Sequence, residues 1–358
     1  MTPADPPAFP ELDAARVDER LRTLTEAVAV SGDETPVRRY VLSVLREHGW
    51  AFDVDTMGNV LAHRPSADPA GLRVLLAAHM DEVGLMLLPE DDAGFYRLRP
   101  VGGLSPRAVL GQAFWVGPDR VLGVVGLPPV HLHQGQQAFP DWDNLRLDVG
   151  PRPEGRVAAG MRAAFATTYR QEGDARFGKA FDDRAGVALL LELLSHVPET
   201  LDLWFAFTVQ EEVGLRGAQV AAYRVNPDVA IAVDCTPARD IPGLRGEENP
   251  AYNVRVGQGP ALYLADRLTI SDPRLLRHAH RLALQYGLPF QFRQVGQGAT
   301  DAGAMHVQRS GIASLSISVP ARGIHGPIAR MSWNDWLHTW QLLWLLLHTL
   351  SREVLEAL

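Results

Sequence analysis

Residues 207–218 read FTVQEEVGLRGA, and they overlap the end of a short apolar run at residues 203–209. The run is rich in β-branched and aromatic residues and ends at a polar turn, which predicts a buried strand. Neighbouring side chains near a strand end point in different directions. The carboxylate of one of the two glutamates, Glu211 and Glu212, can therefore face a metal ion, while the other faces the water bound to that metal. Metal-assisted hydrolysis needs such a ligand and such a base. A solvated glutamate pair is the alternative interpretation.

The length and composition of the chain limit the classes of function that it can have. The 358 residues include 34 Lys and Arg against 42 Asp and Glu, which gives a formal net charge of −8. This length predicts one large domain with a smaller one. An acidic balance without a basic block argues against a nucleic-acid partner. The single cysteine, Cys235, excludes an internal disulfide and fits a reducing compartment, so we expect a cytoplasmic protein.

Neither a signal peptide nor a membrane partner is expected. The N-terminal stretch, MTPADPPAFPELD, is proline-rich and acidic and lacks the basic start and apolar core of a signal peptide. The longest apolar stretch, residues 340–347, falls far short of the ~20 residues that span a bilayer.

A second apolar run, residues 74–78, suits a central strand and leads directly into His79, Met80 and Asp81. On a strand, side chains two residues apart share a face. A metal-binding histidine commonly donates its other ring N–H to a carboxylate, which is the role that Asp81 can fill. A histidine paired with an aspartate for structural reasons alone is an equal alternative.

Three further junctions carry similar side chains. Asp182 precedes a helical stripe, Asp234 ends the apolar run at residues 229–233, and His325 follows the run at residues 312–319. A carboxylate at a helix N-terminus is favoured by the helix dipole, so capping is the competing explanation for Asp182.

These positions form one predicted cluster. Sites in open α/β sheets lie outside the carboxyl ends of the strands, where the five side chains would meet. Five nitrogen and oxygen ligands without cysteine suit two hydrolytic metals that share a bridging carboxylate. The residues are His79, Asp182, Glu212, Asp234 and His325.

Residues 88–174 differ in sequence pattern from the rest of the chain. They contain short β-like runs punctuated by Gly and Pro, without a long helical stripe. This pattern predicts a small inserted all-β, barrel-like domain between two parts of an α/β domain, residues 1–87 and 175–358. Within the insertion, the proline-rich surroundings of His131 and His133 favour a structural or interface role over metal binding.

Seven stretches together resemble one known family. They are AAHMDEVGLM (77–86), VVGLPPVHL (124–132), GKAFDDRAGV (178–187), TVQEEVGLRGA (208–218), AIAVD (230–234), GATDAGA (298–304) and RGIHGP (322–327). Their order and types resemble family forty-two of the metallopeptidases, the glutamyl aminopeptidase-like enzymes that form tetrahedral particles and are also called endoglucanase M homologues. The resemblance covers most of the chain. It implies a mixed-sheet α/β/α metallopeptidase domain of the phosphorylase/hydrolase-like type with an inserted barrel.

The resemblance implies a set of metal ligands. His79 and Asp234 would hold one divalent ion, Glu212 and His325 the other, and Asp182 would bridge both. Zinc or cobalt is the expected metal.

The resemblance also implies a reaction and an assembly. Glu211 would be the general base and Asp81 would orient His79, in an aminopeptidase that releases the N-terminal residue of short peptides. The inserted domain would form dimers, and the dimers would build a dodecamer.

A few positions depart from the family pattern. Gly323 stands where an aromatic residue is usual, and Gly326 and Ala329 interrupt a common Ser-Pro-x-Glu run. Cys235 begins an unusual loop after Asp234. None of the four is an implied ligand, and they lie where the substrate pocket or subunit contacts are shaped.

Other functions stay open at this point. The same metals could serve another amide hydrolase, either a deacylase or a carboxypeptidase-like enzyme, and a requirement for a free α-amine separates these. A non-catalytic peptide-binding assembly is less favoured, because every implied ligand and Glu211 are present. Glycan hydrolysis is disfavoured, because it usually uses two carboxylates without metals.

Overall fold

A mixed sheet and a small barrel contain the strands of this chain. The computed structural model describes residues 8–91, 94–126, 141–151, 156–242, 254–294, 296 and 298–356. The predictions for the N-terminal stretch and for His131 and His133 fall on residues 1–7, 131 and 133, which lie outside these ranges.

The described strands and helices alternate over most of the chain. In chain order, the strands are β1 Ala51–Val54, β2 Val60–Arg64, β3 Arg73–His79, β4 Gly84–Glu90, β5 Tyr96–Val101, β6 Ala113–Val116, β7 Val121–Val125, β8 Arg146–Asp148, β9 Arg162–Phe165, β10 Arg170–Glu172, β11 Ala175–Gly178, β12 Asp202–Thr208, β13 Val229–Pro237, β14 Ala261–Tyr263, β15 Gln291–Arg293, β16 Ala313–Arg322 and β17 Ala329–Ser332. The helices are α1 Ala14–Glu26, α2 Thr35–Glu47, α3 Pro106–Val109, α4 Phe181–Leu193, α5 Arg216–Val225, α6 Pro273–Gln285, α7 Ala302–Met305, α8 Trp333–Thr349 and α9 Arg352–Glu356. All of these helices fall short of the length and hydropathy of a membrane span.

Eleven of the described strands form one sheet. Its order is β1-β2-β12-β3-β13-β16-β17-β11-β10, with β14 beside β16 and β15 beside β14. The central strands β12, β3, β13 and β16 are parallel. Thr208 of β12 is level with His79 of β3, and Ala232 of β13 is level with Ala77 of β3. The carboxyl ends of β3, β12 and β13 therefore meet at one edge of the sheet, where ligand sites of such folds form.

Helices cover both faces of this sheet. On β3, Leu76 and Ala78 share a core with α4 and α8. The intervening Leu75 and Ala77 belong to a second core with α5 and α7. This alternation is the two-residue period of a strand that is buried on both faces. The α/β fold class with three layers is thereby confirmed.

A second unit is inserted between β3 and β10. Six of the described strands close an antiparallel barrel in the order β4-β5-β8-β7-β6-β9. The barrel has its own core, which includes Phe114, Leu147 and Phe165. The predicted barrel-like insertion is confirmed as an element of the fold. The boundaries 88–174 stay a prediction, and the first barrel strand begins at Gly84.

The C-terminal helix is shorter than its sequence pattern predicts. The apolar stripe through Trp336, Trp340 and Trp344 predicts one helix over residues 333–355, but α8 ends at Thr349 and α9 is separate. Leu350 takes an extended conformation, with ψ of 127°, and its side chain is buried. The break therefore keeps Leu350 in the core. The stripe predicts that the three tryptophans pack in the core or at an interface, and the structure places them in the core.

Candidate metal centre

The carboxyl edge of the sheet carries most of the predicted site. His79 is the last residue of β3, Glu211 and Glu212 follow β12, and Asp234 lies within β13. These elements are adjacent in the parallel part of the sheet. His79 Nε2 lies 3.8 Å from Asp234 Oδ1 and 4.0 Å from Glu211 Oε2. The sheet therefore brings together side chains that are far apart in sequence.

Asp182 stands between the two histidines. Its Oδ1 is 3.1 Å from His79 Nε2, and its Oδ2 is 3.3 Å from His325 Nε2. Asp182 and Asp183 lie at the start of α4, where the backbone is not yet helical, with ψ of 105° at Asp182. Each oxygen of Asp182 thus faces a different imidazole, which is the arrangement that a bridging ligand requires.

His325 and Glu212 form the second half of the cluster. His325 Nε2 lies 3.1 Å from Glu212 Oε1. The barrel segment between β5 and α3 approaches this imidazole closely, because a Cβ atom added at Gly103 would lie 3.0 Å from His325 Nδ1. A larger residue at position 103 would therefore displace the His325 ring.

Asp183 is a neighbour that the sequence did not single out. Its carboxylate comes within 4.8 Å of ligand atoms of His79 and Asp234, just as Asp182 groups with Glu212 and His325. However, Asp183 Oδ2 accepts a hydrogen bond from the His79 backbone N–H at 3.1 Å, and its Oδ1 accepts one from Gly186 at 2.9 Å. Asp183 is therefore engaged with the backbone, whereas Asp182 faces the imidazoles. The adjacent acidic pair was the only signal in the sequence.

Asp81 contacts more than the histidine that it was predicted to orient. His79 Nδ1 lies 3.1 Å from the Asp81 main-chain oxygen and 3.4 Å from its carboxylate. The same carboxylate accepts hydrogen bonds from the backbone N–H groups of Glu211 and Glu212, at 3.1 and 3.2 Å. The Ser31 hydroxyl also donates to it at 2.6 Å. Asp81 therefore fixes the turn that carries both glutamates, and its orienting role stays a prediction.

The electrostatics of the cluster are dominated by buried negative charge. Burial raises the pKa of Glu211 well above its ordinary value; the nearby His79 opposes this shift, and the charges of Glu212 and Asp301 add to it. Burial also raises the pKa of Asp234, with Asp182 adding to the effect. These carboxylates repel one another in a site where water screens them weakly.

The histidines respond to the same field. Burial alone would lower the pKa of His325, but Asp182 and Glu212 raise it to about 11. The pKa of His79 is likewise raised against the effect of burial, chiefly by Asp182 and Asp81. Positive charge is therefore strongly favoured at this place. The donor set of imidazole nitrogens and carboxylate oxygens, without thiolate, fits divalent cations such as Zn²⁺ or Co²⁺.

A cavity of about 590 Å³ opens beside the cluster. Glu211 and Asp234 lie in its wall together with Arg267 and Arg293. Arg293 is 3% exposed, and its Nε donates to the Thr236 hydroxyl at 3.1 Å. Its guanidinium also lies 4.4 Å from the centre of the Tyr263 ring. Neither arginine was predicted, because each lies in a segment without a recognisable motif.

Comparison with known proteins identifies the family. The sequence profile described as M42 glutamyl aminopeptidase matches residues 58–342. The chain belongs to the M42 glutamyl aminopeptidase family. A glutamyl aminopeptidase of Lactococcus lactis is 32% identical over 352 residues, which cover 94% of this chain and 97% of that protein.

Solved structures of two archaeal peptidases share the fold. An aminopeptidase from the archaeon Desulfurococcus kamchatkensis matches with a TM-score of 0.89 and 32% identity, covering 96% of this chain and 97% of that one. The TET1 peptidase of Pyrococcus horikoshii, which can assemble into a tetrahedron or a large octahedral shell, matches with a TM-score of 0.80 and 28% identity, covering 92% and 98%.

These comparisons decide which predictions hold. The predicted family and the class of metal-dependent aminopeptidase are confirmed. The seven predicted site residues lie together, but their individual roles stay predictions, as do the number and identity of the metals. They are His79, Asp81, Asp182, Glu211, Glu212, Asp234 and His325.

One departure from the family pattern has a steric reason. Gly323 has a φ of +75°, and a Cβ atom there would lie 2.6 Å from the Ile328 main-chain oxygen. The turn therefore excludes the aromatic residue that is usual at this position. Cys235, another departure, is buried and lines the cavity.

Divalent cations should stabilise this M42 protein in a pH-dependent way. Cation binding requires deprotonated carboxylates and neutral imidazoles, and the raised pKa values mean that protons occupy the site at low pH. Zn²⁺ or Co²⁺ added to chelator-treated protein should therefore raise the unfolding temperature more at pH 8 than at pH 5. A free cation concentration of about a hundred times Kd should raise the free energy of unfolding by about 2.7 kcal/mol.

The control for this measurement is the Asp182→Asn variant, which should lose most of the rise because Asp182 lies between both histidines. Differential scanning calorimetry measures both proteins. An equal rise in the variant, or a rise that does not depend on pH, would contradict the placement of the cations.

Proposed function

We propose that this protein is a dinuclear metal aminopeptidase that hydrolyses the first peptide bond of short peptides. The observation that carries the proposal is the position of Asp182, whose two oxygens face His79 and His325 at 3.1 and 3.3 Å. Asp182 would bridge two cations, one held also by His79 and Asp234. The other would be held by Glu212 and His325.

The cations and Glu211 have separate tasks in this proposal. When bound, two divalent cations supply Lewis acidity, lower the pKa of a water molecule and offer a site for the substrate amine. Glu211 accepts the proton of the attacking water and donates it to the leaving amine. Its raised pKa suits both steps, because a carboxylate of ordinary pKa returns a proton less readily near neutral pH. Asp81 holds the Glu211 backbone in place at 3.1 Å.

The cavity beside the cluster supports exopeptidase activity on small substrates. Its volume of about 590 Å³ accommodates a short peptide, and Glu211 and Asp234 lie in its wall. The competing amide hydrolases, a deacylase or a carboxypeptidase-like enzyme, would use the same residues without requiring a free α-amine on the substrate.

Amino-acid release from paired peptides tests the function. Short peptides with a free N-terminus should be cleaved after reloading with Co²⁺ or Zn²⁺, whereas N-acetylated versions of the same peptides and chelated enzyme should give no release. Cleavage of the acetylated set would favour a deacylase or a carboxypeptidase-like hydrolase. Binding of cations without cleavage of either set would favour a non-catalytic peptide-binding role.

Replacing the proposed base should separate turnover from metal binding. Glu211→Gln should lower kcat by about 10²- to 10⁴-fold, because the side chain can no longer accept a proton. Its cation content, measured by atomic absorption after gel filtration, should stay that of the wild type. Glu212→Gln is the matched control one residue away, and it should lose bound cation. Full activity of Glu211→Gln would rule out its role as base.

Two arginines in the cavity wall support a preference for an acidic N-terminal residue. Arg293 is buried beside Tyr263 and Arg267 is exposed, and both lie on the cavity that holds Glu211. A hydrogen bond from a guanidinium to a substrate carboxylate contributes about 1.5–3 kcal/mol, or roughly 10- to 100-fold in rate constant. The L. lactis relative carries the name glutamyl aminopeptidase.

This preference is measurable with aminoacyl anilides, which contain no second carboxylate. The glutamyl anilide should be cleaved about tenfold or more faster, in kcat/KM, than the glutaminyl anilide. Arg293→Met should remove that ratio, whereas Arg281→Met, at an arginine that does not line the cavity, should keep it. Equal rates for glutamyl, leucyl and lysyl anilides in the wild type would contradict the preference.

Self-association through the barrel is part of the same proposal. On β7, Leu122 and Val124 point outward and are 58% and 43% exposed, in a strand whose intervening Gly123 faces the barrel core. Exposed apolar side chains grouped on one strand are typical of protein–protein contacts. A dimer formed there would build toward a dodecamer, as the tetrahedral assembly of the P. horikoshii TET1 peptidase suggests.

A further inference from the structure

A buried ionic network lies behind the metal centre. Glu82 receives two hydrogen bonds from Lys179 Nζ, one to each carboxylate oxygen at 2.7 Å. Arg184 Nη2 lies 3.3 Å from Glu82 Oε1, and the Ala29 N–H donates to the same oxygen at 3.2 Å. Glu82, Lys179 and Arg184 are 3%, 1% and 0% exposed. The three side chains therefore depend on one another rather than on solvent.

The positions of these three residues in the chain are informative. Glu82 directly follows Asp81, while Lys179 and Arg184 stand on either side of Asp182 and Asp183. Each bond across the network thus ties the end of β3 to the loop that begins α4. The first segment carries Asp81, which is predicted to orient His79. The second carries Asp182, the proposed bridging carboxylate.

The Lys179 and Arg184 side chains also tie the loop to the last turn of α1 and the segment after it. Lys179 donates to the Ala27 main-chain oxygen at 2.8 Å, and Arg184 donates to those of Leu24 and Ala29 at 2.7 and 3.1 Å. A hydrophobic core could fill this volume at lower desolvation cost, because burying three charges is expensive. The network also places two positively charged side chains, Lys179 and Arg184, against the one carboxylate of Glu82. This leaves a net positive charge beside the acidic cluster.

From these contacts we infer that Glu82, Lys179 and Arg184 are positioning residues that hold the Asp182 loop against the end of β3 and so set the affinity for the cations. The inference rests on the proposed metal centre. Residues that support metal ligands from behind typically change metal affinity by 10- to 100-fold when they are replaced.

The test compares two buried glutamates that each bind two cationic side chains. Glu82→Gln should weaken the apparent Kd for Zn²⁺, measured by competition with a chromophoric chelator, by about 10- to 100-fold. Glu192→Gln is the matched control, because Glu192 is 2% exposed and contacts Arg16 and Arg20 at 2.7 and 2.6 Å. It lies ten residues beyond Asp182 on α4, and its variant should keep the wild-type affinity.

The outcomes separate this inference from the proposed function. Unchanged affinity in Glu82→Gln, or an equal loss in Glu192→Gln, would overturn the positioning role. If Glu82→Gln does not fold by circular dichroism, Lys179→Met removes one partner only, and wild-type affinity in that variant would overturn it as well. If the wild type binds Zn²⁺ but cleaves no peptide, the proposed peptidase activity is refuted. The positioning role is then still decided by the Zn²⁺ affinities of the variants. A wild type that binds no cation would refute both.

Discussion

The convergence of buried carboxylates at one edge of the sheet is the constraint on which this structure depends. Asp182 and Glu212 lie within 3.1–3.3 Å of the two histidines, and Asp234 lies 3.8 Å from His79, in a place where desolvation disfavours negative charge. Such a cluster is costly in a folded chain unless positive charge offsets it. The two imidazoles supply part of that charge, and divalent cations are the natural source of the rest.

The surrounding backbone divides the acidic residues into two groups. Asp81 and Asp183 accept hydrogen bonds from main-chain N–H groups and fix the turns at the ends of β12 and β3. Asp182 and Glu212 instead direct their oxygens toward imidazole rings. This division lets one set of carboxylates build the frame while the other stays available to ligands.

The inserted barrel and the strands β14 and β15 shape the approach to the metal centre. The barrel segment between β5 and α3 passes so close to His325 that a Cβ atom at Gly103 would lie 3.0 Å from the ring. On the far side of the cavity, β14 and β15 contribute Tyr263 and Arg293. The proposed chemistry and the proposed selectivity thus rest on different parts of the chain.

The sequence by itself determined the α/β class, the inserted β region and the residues that cluster, because strand and helix periods and family motifs are local features. Only the tertiary structure showed that Asp183 accepts a hydrogen bond from the His79 backbone, gave Asp81 its contacts with two backbone N–H groups, and placed Arg293 in the cavity. Those contacts join residues as far as 131 positions apart. They follow from sheet order and register, which local propensity does not specify.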